Sequence, residues 1–141
     1  MRYWLSIQSE PIDEATLFRT RCASTGIGAV IYFLGTVRGS ESAQTIEALE
    51  YEAFHKMAEH QFHKIFETAG HRWPIESIRL AHRIGVVPVG EPSLWVEVTA
   101  PHRGEAFAAC QFVIDEMKKV VPIWKKTVLP KAGASDSTTP V

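Results

Sequence analysis

The sequence predicts an α+β fold, a mostly antiparallel sheet with helices packed on it. Three observations carry that prediction. Short segments with a period of two recur along the chain, which is the spacing of strands. Two longer segments, around residues 54–69 and 107–121, instead repeat apolar side chains at helical spacing. The resulting order, β-α-β-β-α-β-β-α-β, implies helices layered on a sheet. With 141 residues, 45% of them hydrophobic and 22% charged, the chain fits one domain that can bury a core without disulfides or a structural metal.

Each element follows from local chemistry. Tyr3, Leu5 and Ile7 alternate with Trp4, Ser6 and Gln8 in a short strand. Pro11, Ile12, Asp13 and Glu14 open a helix, with Leu17, Phe18 and Cys22 on one side, until Gly26 and Gly28 close the region. Residues 29–37 are apolar on both alternating faces and read as a central strand, with Arg38 at its end. Residues 39–44 form a polar loop, and a strand resumes from Ile46 to Glu52. Phe54, Met57, Ala58, Phe62, Ile65, Phe66 and Ala69 then mark an amphipathic helix that Gly70 stops. On its polar face, His60 and His63 are one turn apart, but His55 lies off their stripe and no carboxylate completes a set. These are solvated histidines, and no metal site is expected.

Ile78, Leu80, His82 and Ile84 share one strand face, and Leu94, Val96, Val98 and Ala100 share another, with residues 85–90 connecting them. His82 on an apolar face reads as a hydrogen-bonded core histidine. Phe107, Cys110, Ile114, Met117 and Val121 define the last helix, which Pro122 ends. Residues 123–128 form a final strand or extended segment. Residues 129–141, rich in Pro, Ala, Gly, Ser and Thr, read as a frayed tail outside a domain of residues 1–128.

Charge and cysteines exclude several classes. Fifteen Lys and Arg against sixteen Asp and Glu leave a net charge of −1, so a broad nucleic-acid surface is not expected and any bound anion is small. The N-terminus lacks the apolar core of a signal peptide, and no apolar run approaches the ~20 residues of a membrane span. A cytoplasmic protein without a membrane partner is therefore expected. Cys22 and Cys110 form neither a CxxC pair nor a metal-ligand spacing, and both read as reduced, small core residues.

Three places combine cations with element ends. Thr36, Val37 and Arg38 deliver a guanidinium from an apolar strand to a loop. His102 and Arg103 stand at the mouth of the last helix, where free N–H groups and the helix dipole favour an anion, so cations there call for a bound phosphate. Lys118 and Lys119 end the same helix, and Lys125 and Lys126 follow the apolar Pro122, Ile123 and Trp124. Lys119 and Lys126 fit ordinary surface charges. Lys118 beside Met117 and Lys125 beside Trp124 are expected to be partly desolvated, which with neighbouring cations lowers a lysine pKa and suits it to act as base or nucleophile. No GxGxxG, Walker A, GxSxG or HExxH pattern occurs. The residues alone reach a candidate phosphate-ester pocket, in an enzyme or in a non-catalytic module that binds a phosphorylated small molecule or a partner's C-terminus.

Five ordered blocks then add a resemblance. Gly28-Ala-Val-Ile-Tyr-Phe-Leu-Gly-Thr-Val-Arg38, Leu49-Glu-Tyr-Glu-Ala-Phe-His-Lys-Met-Ala58, His82-Arg-Ile-Gly85 with Gly90-Glu91, His102-Arg103 with Ala106-Phe107, and Pro122-Ile-Trp-Lys-Lys126 occur in the order and spacing of the molybdopterin synthase large, catalytic subunit family. Over about residues 3–128 the chain resembles that family. The resemblance implies an α/β hammerhead fold and sulfur transfer in molybdenum cofactor biosynthesis, with no cofactor of its own. The family converts cyclic pyranopterin monophosphate, precursor Z, to molybdopterin by installing a dithiolene. Its sulfur comes from the C-terminal Gly-Gly thiocarboxylate of a small ubiquitin-like subunit, and two large subunits form a central homodimer within a heterotetramer. Carried onto this sequence, the pocket comprises Thr36, Val37, Arg38, His102, Arg103, Lys118, Lys125, Lys126 and Thr127, with Lys118 and Lys125 as the catalytic pair. His102 and Arg103 are expected to reach into the neighbouring subunit's site. Two departures stand out: Thr127 replaces a common acidic residue, removing one carboxylate partner for the lysines, and the tail lacks the further aromatic residue many members carry.

Overall fold

The computed structural model describes residues 1–131 and 138–140. Its elements are β1 (Arg2–Gln8), α1 (Glu14–Arg19), β2 (Ala29–Thr36), β3 (Ser40–Glu41), β4 (Gln44–Thr45), β5 (Ala48–Ala53), α2 (His55–Arg72), β6 (Ser77–Arg83), β7 (Gly85–Pro88), β8 (Pro92–Ala100), α3 (Arg103–Val120), β9 (Ile123–Val128) and β10 (Thr138–Pro140). Two four-stranded sheets result, ordered β1-β6-β8-β2 and β10-β9-β5-β7, beside the small β3-β4 hairpin. Only β1 and β6 pair in parallel among the described strands, and the other pairs are antiparallel.

The core is formed where the two long helices close on the first sheet. Ala58, Phe62, Ile65, Phe66 and Ala69 of α2 are buried, as are Ala106, Ala109, Cys110, Val113, Ile114 and Met117 of α3. They meet Ile78 and Leu80 of β6 and Val96 and Val98 of β8, none of which is accessible to solvent. Alanines on both helices let their backbones approach closely, and Phe62 and Phe66 fill the space between. Burying each such aliphatic or aromatic side chain contributes about 1.5–3 kcal/mol. Gly28 has a packing reason of its own: a Cβ there would collide with the Pro101 carbonyl oxygen, because the start of β2 lies against the end of β8.

The other face of the first sheet is covered by the segment around α1. Trp95 and Ala81 pack with Ile12, Leu17 and Tyr32. Beside them Arg79 makes a two-pronged ion pair with Glu97, at 2.8 and 2.9 Å, and also donates to the Leu17 carbonyl at 2.6 Å. Glu97 is 1% exposed, so its charge depends on that guanidinium.

Several sequence expectations change here. The first helix stops at Arg19, and Cys22 is exposed, whereas the expectation placed it in the core. Asp13 caps the helix by accepting from the Thr16 N–H at 3.1 Å, but the six-residue helix has no buried residue to extend it. Cys110 is buried as expected, and burial pushes its thiol up to about 11, so it is inert. The connection at residues 85–90 contains a strand, β7, paired with β5, while Gly85 and Gly90 at its borders take left-handed φ values of 84° and 88°. The polar loop at residues 39–44 holds the β3-β4 hairpin, turned by Ser42 and Ala43 at φ 49° and 63°. Two left-handed residues give the turn whose twist suits a hairpin, at about 1–2 kcal/mol for each that carries a Cβ. The frayed-tail expectation for residues 132–137 and 141 lies outside the described residues; residues 138–140 run antiparallel to β9.

Arg79→Ala leaves Glu97 as an unpaired buried charge, and we expect it to cost about 3–5 kcal/mol of stability, read as a lowered urea midpoint at unchanged slope.

Candidate active site

The two sheets and the C-terminal end of α3 meet around a cavity of about 340 Å³. Its lining comes from elements far apart in sequence. Thr36 and Arg38 come from the end of β2, Glu41 from β3, Tyr51 from β5 and His82 from β6. Met117 and Lys118 come from the last turn of α3, and Lys125 comes from β9.

Local structure explains why these groups converge. The β2-β8 register shifts between Gly35 and Thr36, an irregularity that falls where the strand reaches the cavity, which both residues line. The next residue, Val37, is 2% exposed and bonded on both sides, its N–H to the Glu91 carbonyl at 3.1 Å and its carbonyl to the Gly90 N–H at 2.8 Å. That anchor fixes the point from which Arg38 leaves. In α3, burial of Met117 sets the rotation that brings Lys118 to the cavity, and a cation in the last helical turn also suits the dipole. On β9, Lys125 lies opposite Tyr51 of β5, and both line the cavity.

The charges are arranged unevenly. Glu41 reaches Lys125 at 3.1 Å and Arg38 at 3.8 Å. Among the described residues, carboxylates pair with Lys119, Lys125 and Lys126, and none with Lys118. Lys125 is largely buried, as expected from its apolar neighbours, but Lys118 is exposed, so the expected partial desolvation of Lys118 is absent in the single chain. Beneath the cations lies a neutral floor. Burial pushes the Tyr51 phenol up, a hydrogen bond with Ser93 opposes this, and the nearby Glu41 charge adds to it. The His82 ring meets Tyr51 edge-on at 5.2 Å and makes a 2.9 Å hydrogen bond with the Arg83 carbonyl. Burial lowers His82 to about 4, so it is a neutral core histidine, as its sequence position suggested.

The structure gathers Thr36, Arg38, Lys118 and Lys125 of the expected site, with Val37 buried just behind. It sets the others elsewhere. His102 and Arg103 are exposed at the opposite end of α3, about 22 Å of helix from Lys118. Lys126 points to Glu50 on the neighbouring β5, at 3.9 Å, and lines a second depression of about 150 Å³ with Glu50, Glu52, Trp124 and Lys125, which borders both. Thr127 is buried beside the cavity, opposite Leu49, without lining it. Sequence reasoning missed Glu41 and Tyr51. The available signal was an acid three residues after Arg38 and a phenol within an alternating strand, and neither locates a pocket without the fold. Among the described residues no group of three or more His, Cys, Asp or Glu could hold a metal, and no helix is long and apolar enough to cross a membrane.

The structure is thus an α+β fold with a cavity, closed by a helix end, in which three cations and one carboxylate meet. The comparisons specify it further. The family model described as MoaE protein matches residues 7–120, and the chain belongs to that family. It is 42% identical over 106 residues to the molybdopterin synthase catalytic subunit of Pyrococcus abyssi, covering 75% of this chain and 72% of that one. It superposes on the crystal structure of molybdopterin synthase from Staphylococcus aureus with a TM-score of 0.84 and 30% identity, over 98% of this chain and 96% of that one. The complex of subunits 1 and 2 of molybdopterin-converting factor from Helicobacter pylori shares the fold, at a TM-score of 0.71 and 20% identity over 92% and 90% of the two chains.

His82 gives the site a pH signature. An unfolded histidine protonates near 6.5 and the folded one near 4, so the unfolded chain binds more protons between those values. Stability therefore falls as pH is lowered through that window, by up to about 3 kcal/mol. Urea unfolding from pH 7 to 4 should show this slope, and His82→Gln should remove its share.

Proposed function

We propose that this chain is the catalytic subunit of a molybdopterin synthase, converting cyclic pyranopterin monophosphate to molybdopterin with sulfur from the thiocarboxylated C-terminus of a small ubiquitin-like subunit. The observation that carries the reading is the convergence of Arg38, Lys118 and Lys125 on one cavity of small-molecule size. In this reading the catalytic domain spans residues 1–128, with the remainder a tail, and the protein works in the cytoplasm.

The chemistry divides among the side chains. Arg38 presents a planar fork of donors suited to the cyclic phosphate. The thiocarboxylate sulfur attacks a substrate carbon and links the partner's tail to the substrate as a thioester, while the C–O bond at that carbon breaks and its oxygen leaves with the electron pair. Water then attacks the acyl carbon, the C–S bond breaks, the tail leaves as carboxylate, and the sulfur stays on the substrate. A second carrier supplies the second sulfur of the dithiolene, which enters by the same exchange of a C–O bond for a C–S bond. Lys125 stabilises the oxyanion that forms during hydrolysis, and Lys118 exchanges the proton with substrate or water. Three cations and one carboxylate line the cavity, a surplus of two positive charges that matches one phosphate diester and one thiocarboxylate.

His102 and Arg103 serve a neighbouring copy in this account. Their distance from Lys118 along α3 keeps them out of their own chain's cavity, and a homodimer within a heterotetramer would bring them to the other one. The Helicobacter pylori structure, a complex of two different subunits, is consistent with a second subunit as the partner in this reading. Mixing Lys118→Ala and Arg103→Ala subunits should then restore turnover that neither variant has alone, through dimers with one complete site.

The central test mixes purified protein with thiocarboxylated small subunit and precursor Z and measures molybdopterin. Wild-type protein should form product, and Lys118→Ala should slow turnover by about a hundredfold or more without changing the melting temperature, since the side chain is exposed. Binding of precursor without product would favour a non-catalytic binding module instead.

A further inference from the structure

We infer that Glu41 is a positioning residue for this reaction: its carboxylate holds Lys125 in the cavity and leaves Lys118, which pairs with no carboxylate among the described residues, as the lysine that exchanges a proton. The inference rests on the reading that Lys125 lines the reaction site. Three observations on the chain itself support it.

The first is geometry. Glu41 Oε2 stands 3.1 Å from Lys125 Nζ, and Oε1 stands 3.8 Å from an Arg38 terminal nitrogen, so one carboxylate spans the two cations that come from separate sheets. The second is burial. The side chains of Glu41 and Lys125 are 18% and 24% exposed, whereas Arg38 is 80% exposed. Solvent screening weakens the Arg38 contact far more than the Lys125 contact, so Lys125 is the true partner. The third is placement. Glu41 sits on a two-residue strand turned by Ser42 and Ala43 in left-handed conformations, and the Ile46 N–H donates to the Gly39 carbonyl at 3.1 Å to close the hairpin base. The short hairpin thus presents its acid to the cavity, where that acid lies near Tyr51 as well.

The pairing separates the two lysines by role. A lysine held by a carboxylate is a fixed donor, able to meet negative charge that develops at one place. A lysine that no described carboxylate holds can instead follow a proton between substrate and water. Glu41 also takes over the part expected of a carboxylate after the paired lysines, where this chain has Thr127.

The test compares wild type, Glu41→Gln, Glu41→Asp, Lys125→Ala and the Glu41→Gln/Lys125→Ala double variant in the reconstituted assay. Glu41→Gln should lower kcat about tenfold with little change in KM for precursor, through misplacement of one donor. Glu41→Asp should recover most of that loss. In the Lys125→Ala background, Glu41→Gln should have no further effect. Full activity of Glu41→Gln, or losses that multiply in the double variant, would overturn the inference. A second readout needs no turnover: in protein labelled at lysine side chains, Glu41→Gln should move the Lys125 Nζ resonance and leave that of Lys118 in place. An unmoved Lys125 signal would overturn the pairing whatever the assay shows, while inactive wild-type protein with a moved Lys125 signal would overturn the synthase reading and Glu41's role in it.

Discussion

The site depends above all on the register between β5 and β9. Tyr51 stands opposite Lys125 and Glu50 opposite Lys126, and side chains alternate across each strand. A slip of one residue would turn Lys126 into the cavity and send Lys125 to the outer face. The register is held from both ends. Ile123 is 2% exposed in the core, Phe54 N–H bonds the Pro122 carbonyl at 3.1 Å, and Glu47 N–H bonds the Val128 carbonyl at 2.8 Å. Core burial at Ile123 and buried Thr127 two steps beyond Lys125 fix the phase of β9, and the phase selects the lysine.

The same logic runs through α3, whose buried stripe couples its two ends. Ala106, Ala109, Cys110, Val113, Ile114 and Met117 face the core, so rotation of the helix is not free and Lys118 falls at the cavity. The helix is also a spacer. It separates its cationic N-terminus from its C-terminal lysine by more than any side chain can bridge. A site that uses both ends must therefore combine two copies of the helix, and that geometric condition makes oligomerisation part of the proposed chemistry.

How much of this was legible in the sequence follows from how local each feature is. The long helices and the main strands were readable, because burial of a stripe or an alternating face writes its period directly into residues such as Phe62, Phe66, Val96 and Val98. β7 was hidden because its four residues begin at Gly85 and end two positions before Gly90, glycines that signal a turn, and its partner β5 is distant in sequence. The first helix looked longer than it is because Cys22 continues the spacing, yet the helix ends at Arg19 and leaves Cys22 exposed. The lysine pair was visible as a pair, but the choice between Lys125 and Lys126 depends on strand pairing, which no local pattern carries. Lys118 was expected to be desolvated by Met117, but adjacent positions on a helix point about 100° apart, so a buried neighbour does not bury it.

The carboxylate in a cavity made for anions has a physical reason. Three cations gathered without a counter-charge repel one another and would splay toward solvent before any substrate arrives. Glu41 offsets that repulsion where it is least screened, at Lys125, and leaves the exposed Arg38 and Lys118 available to ligand. Its location on a hairpin at the cavity edge also matters. Position 127 is buried, and an ionised acid there would carry a desolvation cost that only a close, well-formed pair could offset. Thr127 avoids that cost, while a carboxylate on β3 can pair with the lysine from the cavity side and still keep partial contact with water. The hairpin acid and the buried threonine thus fit one electrostatic arrangement, in which the counter-charge sits on a short element that faces the lysine and not on the strand that carries it.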